Sequence, residues 1–470
     1  GKFIMTGVLA ERYASDQIRK IWSRENKISL ERDLWIMVMK AQSSAGFAID
    51  GDVISAYEKV KSIIDLTSID KRELVLKHDV KARIEEFNSL SGHQLIHLGM
   101  TSRDLTENVD LLQIKTSLEL IERKALSLLY RMGEKSLSHI DTAVVARTHN
   151  VPAQVTTLGK RFATWAEELI SAINHLQELQ KRLPLRGIKG AVGTSQDFID
   201  LVGTAQLDID REFAEALGFE KLAISSSQIY PRSIDFEVLA TLAQLSAAAS
   251  NMATNIRLMS GFGLVSEGLK SDQVGSSAMP HKVNARLSER IGGLSIVLKG
   301  YALMISEISG NQWNEGDVSC SVVRRVALPD SFYAIDAILD TAISVILSLE
   351  VNKDVITREL KENLPFMLSS KILMISVKAG IGREVAHKII KEHALIASKN
   401  LRHHGENNFF ELLSVDSRLG LNRETLEELL ETPLAFTGDA KGQVERILAE
   451  ISRILTKREE ATSYIPGEMR

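Results

Sequence analysis

The chain has one cysteine, Cys320, in 470 residues. That excludes an intramolecular disulfide framework and every cysteine-rich metal site, and it is consistent with a reducing compartment. Proline is scarce as well, with 8 residues in the whole length, and Asn-Gly or Asp-Gly turns are few, so long helices should dominate over hairpins. No run of eighteen or more uninterrupted apolar residues occurs, so no membrane span is expected. Charge of one sign is missing too: 57 Lys and Arg face 61 Asp and Glu, for a net charge of −4, which argues against nucleic acid as a general partner. No apolar signal region follows Gly1 to Ile4, and the chain reads as cytoplasmic.

What is present is apolar periodicity at helical spacing. One stripe runs Leu239, Leu242, Leu245, Ala249, Met252, Ile256 and Met259; a second runs Ile291, Leu294, Leu298, Tyr301, Ile305 and Ile308. A third follows Thr101 through Leu105, Val109, Leu112, Leu118, Ile121, Ala125 and Leu128. Steps of three and four predict helices packed side by side at shallow angles. The stretch Ile335 to Leu349 is apolar on nearly every side apart from Asp336, Asp340 and a few hydroxyls, as expected of a helix inside a bundle or at a subunit interface. The expected fold is all-α, with a long central bundle completed by other copies of the chain. Three parts are expected: residues 1–108 with shorter amphipathic segments, 109–352 with the long helices, and 353–470 punctuated by Pro365, Gly380, Gly382 and Gly405. Ser15 or Asp16 is placed to cap a first helix.

Several motifs carry no chemistry. His93 and His97 have an i, i+4 spacing, but Gln94 stands where a zinc protease needs its general-base Glu, and no third ligand is evident, so structural histidines are expected. Gly187, Gly190 and Gly193 do not form a dinucleotide fingerprint, and no Gly-Lys-Ser/Thr phosphate loop exists. His403 and His404 read as a solvated loop beside Gly405. No cofactor or metal is implied. The segment Gly275-Ser276-Ser277-Ala278-Met279-Pro280-His281-Lys282-Val283-Asn284 is different. It delivers hydroxyls, backbone N–H groups, a cation and an amide to one region ahead of a strong helix. Such groups suit a carboxylate or oxyanion, although a helix N-terminus capped by Ser276 or Ser277 would read the same locally.

That decapeptide resembles the signature loop of the fumarase/aspartase superfamily, and its Met-Pro-His-Lys form is similar to the adenylosuccinate lyase family. Glu11-Arg12-Tyr13 with Ile21-Trp22, Lys77-His78-Asp79-Val80, Gly99-Met100-Thr101-Ser102-Arg103-Asp104, Arg147-Thr148-His149 and Gly190-Ala191-Val192-Gly193-Thr194 resemble further motifs of that family, in its order. The likeness runs from about Glu11 to Asp330 and weakens afterwards.

The resemblance implies β-elimination of fumarate from succinyl-amino nucleotides, in a homotetramer whose sites draw on three subunits. It assigns the general base to Ser276, with Ser277 as the neighbouring alternative, and the general acid to His149. A serine alkoxide needs stabilising, for which Lys282 and the following helix N-terminus are candidates. His78 would touch the nucleotide phosphate or assist His149, and Glu289 would position His149. Thr148, Ser102 and Asn284, helped by Lys282, would hold the succinyl carboxylates; Gln228 would contact the substrate through its amide; Arg12, Tyr13, Ser321 and Arg325 would surround the base and phosphate. Asp79, Thr101, Arg232, Ser277 and Met279 complete the implied substrate-binding set.

Three departures stand out. Glu315-Gly316-Asp317 replaces a family Glu-Arg-Asp, which leaves Arg324 and Arg103 as candidates to supply the missing cation. Asn150 replaces a Gly and Ala285 a Pro. Lyases acting on argininosuccinate, aspartate or carboxymuconate, and a catalytically silent scaffold, are the competing readings. His281 and Lys77-His78-Asp79-Val80 favour a nucleotide substrate, and retention of Ser276, His149 and Lys282 favours an enzyme.

Overall fold

In the computed structural model, residues 7–268 and 278–470 are described. The chain is mostly helical, as the scarcity of proline predicts. Short helices α1 (Asp16–Ile21), α2 (Arg24–Ser44) and α3 (Asp79–Ser91) lead into the long α4 (Ser102–Ser138). A hairpin, β1 (Ala143–Thr148) and β2 (Val151–Thr157), follows; then come α5 (Leu158–Arg182), α6 (Arg232–Gly261), α7 (Arg286–Ile308) and α8 (Ser319–Ser348). Beyond it lie α9 (Lys353–Met367), α10 (Arg383–His404) and shorter helices. Helices α4 to α8 pack along one another as the central bundle. The three predicted stripes are its seams: Leu105, Val109, Leu118, Leu239, Leu242, Leu245, Ile291 and Leu298 are all fully buried. A second apolar cluster, centred on Leu364, Ile372, Phe409 and Leu413, lies in the C-terminal part and includes Val145 and Val155 of the hairpin. At the other end, the Ser15 hydroxyl accepts from Ile18 N, so Ser15 is the N-cap and Asp16 the first helical residue.

The apolar stretch 335–349 needs correcting in one respect. Ile335, Ile338, Leu339 and Ile343 are fully buried by other helices of the same chain, so this segment of α8 supplies no argument for a subunit interface. Its two carboxylates share one buried lysine as their cationic partner. Lys124 Nζ on α4 donates to Asp336 Oδ1 at 2.6 Å and to Asp340 Oδ2 at 2.8 Å. Ser15 N donates to Asp336 Oδ2 at 2.8 Å, and the Tyr464 hydroxyl to Asp340 Oδ1 at 2.6 Å. One buried ion cluster therefore ties the N-terminal segment, two bundle helices and the C-terminal segment together. Exposed apolar side chains do occur on α7, where Ile296 is 72% and Leu303 64% exposed.

The histidines behave structurally, with two local corrections. His93 to Leu98 is not helical, so the i, i+4 spacing puts no two imidazoles on one helix face. His403 and His404 form the last turn of α10, capped by left-handed Gly405, where cationic side chains complement the helix dipole. His97 Nδ1 accepts from Trp35 Nε1 at 3.0 Å, which fixes its proton on Nε2, and burial holds the imidazole down at a pKa of about 4. Since the folded value lies below that of the unfolded chain, the unfolded state binds the extra proton, and stability is lost as pH falls from about 6.5 towards 4. Between pH 7 and pH 5 this one group is expected to remove about 2 kcal/mol. His97→Asn keeps an acceptor and tolerates the left-handed backbone (φ 67°), and should flatten that part of the profile in denaturant titrations at the two pH values.

Candidate functional site

Three helix N-termini converge on a cleft of ≈ 620 Å³. His78 is the N-cap of α3: its Nδ1 accepts from Lys81 N at 3.0 Å, which leaves the proton of the neutral ring on Nε2, 3.4 Å from Ser102 Oγ. Ser102 opens α4, where Thr101 and Asp104 form a capping box, with Thr101 N donating to Asp104 Oδ2 at 2.9 Å. The other oxygen of Asp104 receives Arg186 Nη1 and the backbone N–H groups of Lys189 and Gly190, so the cap of α4 and the glycine-rich turn are built on one buried carboxylate. Ser321 lies in the first turn of α8, and Arg325, one turn further on, stands 3.6 Å from Asp79. Burial pushes the Asp79 carboxyl up, but Arg83, the Val80 N–H, Lys27 and Arg325 outweigh it and hold it below the usual range.

Beneath the cleft is a buried polar layer. Arg232 forms a two-pronged pair with Glu107 at 2.9 and 3.0 Å, and its Nε approaches Cys320 Sγ at 3.4 Å. Arg324 donates to Asp235 at 2.7 Å, to Asp110 at 2.8 Å and to the Tyr230 hydroxyl at 2.5 Å. Burial pushes that phenol well above its usual range. Both arginines have their charge matched inside the protein, so they support the wall rather than present a free cation. Arg103 and Arg324 both line the cleft, but Arg103 differs in its acceptors: its Nη2 donates to Asp317 O at 3.1 Å and to Ser321 Oγ at 3.2 Å. Gln228 N donates to Glu315 O at 3.0 Å, and the side chain packs on Gly316, where a Cβ would lie 2.8 Å from Gln228 Oε1.

Thr148 and His149 sit elsewhere, on the exposed end of the hairpin. His149 (φ 51°) and Asn150 (φ 64°) are both left-handed between the paired Thr148 and Val151, which makes a type I′ turn. Asn at position 150 provides one such residue, a signal in the sequence by which the turn, not expected above, could have been found. Arg147 anchors the base through Asn150 O at 3.2 Å, Glu359 at 3.4 Å and the face of Phe262 at 4.5 Å.

A third group lies at the start of α7. Ser276 and Ser277 fall outside the described residues. Met279 and Lys282 are exposed, with Lys282 N bonded to Met279 O at 3.0 Å; Asn284 is half-buried and lines a second cavity, of ≈ 460 Å³, with Arg286 and Arg290. Glu289 is exposed in the first turn of α7. Buried Glu267 accepts from Leu287 N at 3.0 Å and Ser288 N at 2.8 Å, a carboxylate neutralising the helix N-terminus. The guanidinium groups of Arg12 (5.7 Å) and Arg290 (5.2 Å) both lie over the Tyr13 ring. Arg290 and Glu267 were not singled out from the sequence. The Ser-Glu-Arg run after the signature segment was the available signal for the first, and only packing reveals the second.

Within one chain, then, His78, Asp79, Ser102, Ser321 and Arg325 meet in one cleft, with Gln228 and Arg232 behind it, while His149 and the Lys282–Glu289 segment lie in separate groups.

A family model described as "Lyase" matches residues 11–300, and one described as "Adenylosuccinate lyase C-terminus" matches residues 365–447. The adenylosuccinate lyase of Saccharomyces cerevisiae is 32% identical over 454 residues, covering 94% of each chain. That of Archaeoglobus fulgidus is 31% identical over 448 residues, covering 94% of this chain and 98% of the relative. Among solved structures, the 3-carboxy-cis,cis-muconate lactonizing enzyme of Pseudomonas putida superposes with a TM-score of 0.84 at 22% identity over 95% of this chain and 99% of that one. The fumarate lyase of Mesorhizobium sp. BNC1 gives 0.80 at 21% identity, over 95% and 100%.

Proposed function

Since this chain belongs to the adenylosuccinate lyase family of the fumarase/aspartase superfamily, a family of lyases, we propose that it releases fumarate from adenylosuccinate, giving AMP, and from the succinyl-aminoimidazole-carboxamide ribotide. The observation that carries the reading is the cleft that gathers His78, Ser102, Ser321 and Arg325 at three helix N-termini, an arrangement of donors suited to an anionic substrate. In this reading Ser276, as alkoxide, takes the proton from the carbon next to a succinyl carboxylate. The charge that builds on that carboxylate is met by Ser102, Thr148, Asn284 and Lys282. His149 then protonates the departing nitrogen as the C–N bond breaks. The test is direct: fumarate and AMP should appear together from adenylosuccinate with wild type, and Ser276→Ala should abolish both. Fumarate from a different succinyl compound only would replace the substrate.

The reading includes a cytoplasmic homotetramer of three-part subunits (1–108, 109–352, 353–470) with sites assembled from three chains. Two observations support the assembly: the separation of His149 from the His78 cleft, and the apolar outer face of α7, with Ile296 and Leu303 largely exposed. Ile296→Glu combined with Leu303→Glu is expected to give lower-order species in sedimentation velocity and to lose most turnover, because each site would lack its neighbours' residues. A fully active monomer would overturn the shared-site reading.

A further inference from the structure

Gly316 cannot be the source of a cation in this cleft, and the space that a side chain there would need is taken. Its φ is +155°, and a Cβ would meet Gln228 Oε1 at 2.8 Å and Gln228 Cβ at 3.0 Å. Arg324, the other candidate, is closed in by Asp235, Asp110 and the Tyr230 hydroxyl. Both arginines line the cleft, but the Nε, Nη1 and Nη2 of Arg324 are all engaged by those partners, whereas Arg103, beside Arg325, His78 and Ser102, is bonded through Nη2 to a carbonyl and a hydroxyl. Its guanidinium is held in place by Asp317 O and Ser321 Oγ, with Glu107 at 3.5 Å on the other side, and the side chain is 15% exposed. Ser321 accepts from Arg103 and so keeps its own O–H to donate.

We propose that Arg103 is a specificity-determining residue of this chain: entering from α4, it supplies with Ser321 the phosphate-binding charge that the 315–317 segment lacks. The ligand chemistry is a phosphate monoester on the nucleotide, for which a positioned guanidinium beside a hydroxyl donor is suited. This rests on the nucleotide reading above and goes further by naming the residue that recognises the phosphate.

Calorimetric binding of AMP and of adenosine to the full chain tests it, with wild type, Arg103→Gln and Arg103→Lys compared at one ionic strength. Gln retains donors for Asp317 O and Ser321 but carries no charge; Lys retains charge without the planar fork. Arg103→Gln is expected to weaken AMP binding by roughly ten- to a hundredfold while adenosine changes by less than about threefold, with Arg103→Lys in between. AMP bound as tightly by Arg103→Gln as by wild type overturns the proposal and leaves the enzyme reading intact. Equal losses for AMP and adenosine also overturn it, since Arg103 would then only tether the 317–321 segment. A wild type that neither prefers AMP to adenosine nor cleaves adenylosuccinate overturns the nucleotide reading itself, and this proposal with it.

Discussion

Replacing His149 by Asn is expected to lower adenylosuccinate turnover by roughly 10²- to 10⁴-fold, the range for loss of a general acid, while AMP binding changes little. Asn is a better choice than Ala here. His149 sits at φ 51° in a type I′ turn, where Ala would add backbone strain and Asn would not. The side chain is exposed on the hairpin, so the thermal midpoint should stay close to wild type. Steady-state kinetics should therefore show kcat falling with the binding constants held. If His149→Asn keeps more than about a tenth of wild-type kcat, the general acid lies elsewhere, and His78 becomes the next candidate.

The second large effect is on stability. Lys124→Met should destabilise the protein by about 3–5 kcal/mol, because it strands the Asp336 and Asp340 carboxylates beside each other in the bundle. Burial already pushes the Asp340 carboxyl up, with Lys124 opposing it and Asp336 adding to it. Without Lys124 both carboxylates gain by taking up protons. The folded state then binds more protons than the unfolded one, so the penalty should shrink as pH falls through the range above their unfolded values. Urea midpoints followed by circular dichroism at pH 7 and pH 5 would show it. A penalty below about 1 kcal/mol at pH 7 would mean that the cluster is hydrated or already protonated. A penalty that grows on acidification would contradict the charge argument, leaving simple loss of packing.

The central bundle was legible because each seam is local: a stripe such as Leu239 to Met259 states its own buried face through steps of three and four. The cap at Ser15 was legible for the same reason. The hairpin at 143–157 was not expected, because its turn is His149-Asn150 rather than a glycine-containing pair and its strands are short. The apolar segment 335–349 was rightly read as buried, but what covers it was not. Periodicity states that a face is hidden, while the identity of the cover depends on Lys124, Ser15 and Tyr464, far away along the chain.

The same division holds for the candidate site. By itself the sequence determined the helical class, the family and the residue types available, since composition, periodicity and ordered motifs are properties of neighbouring positions. Only the tertiary structure shows that Arg103 and Arg324 have different partners. Both are arginines near a motif, and nothing local separates them. Asp235, Asp110 and Tyr230 close around one and hold its charge inside the protein; the other, in the first turn of a helix that begins at the cleft, is bonded to Ser321 and the Asp317 carbonyl. A buried charge must find its partners at whatever sequence distance the fold brings them, so which cation remains for a ligand is set by packing.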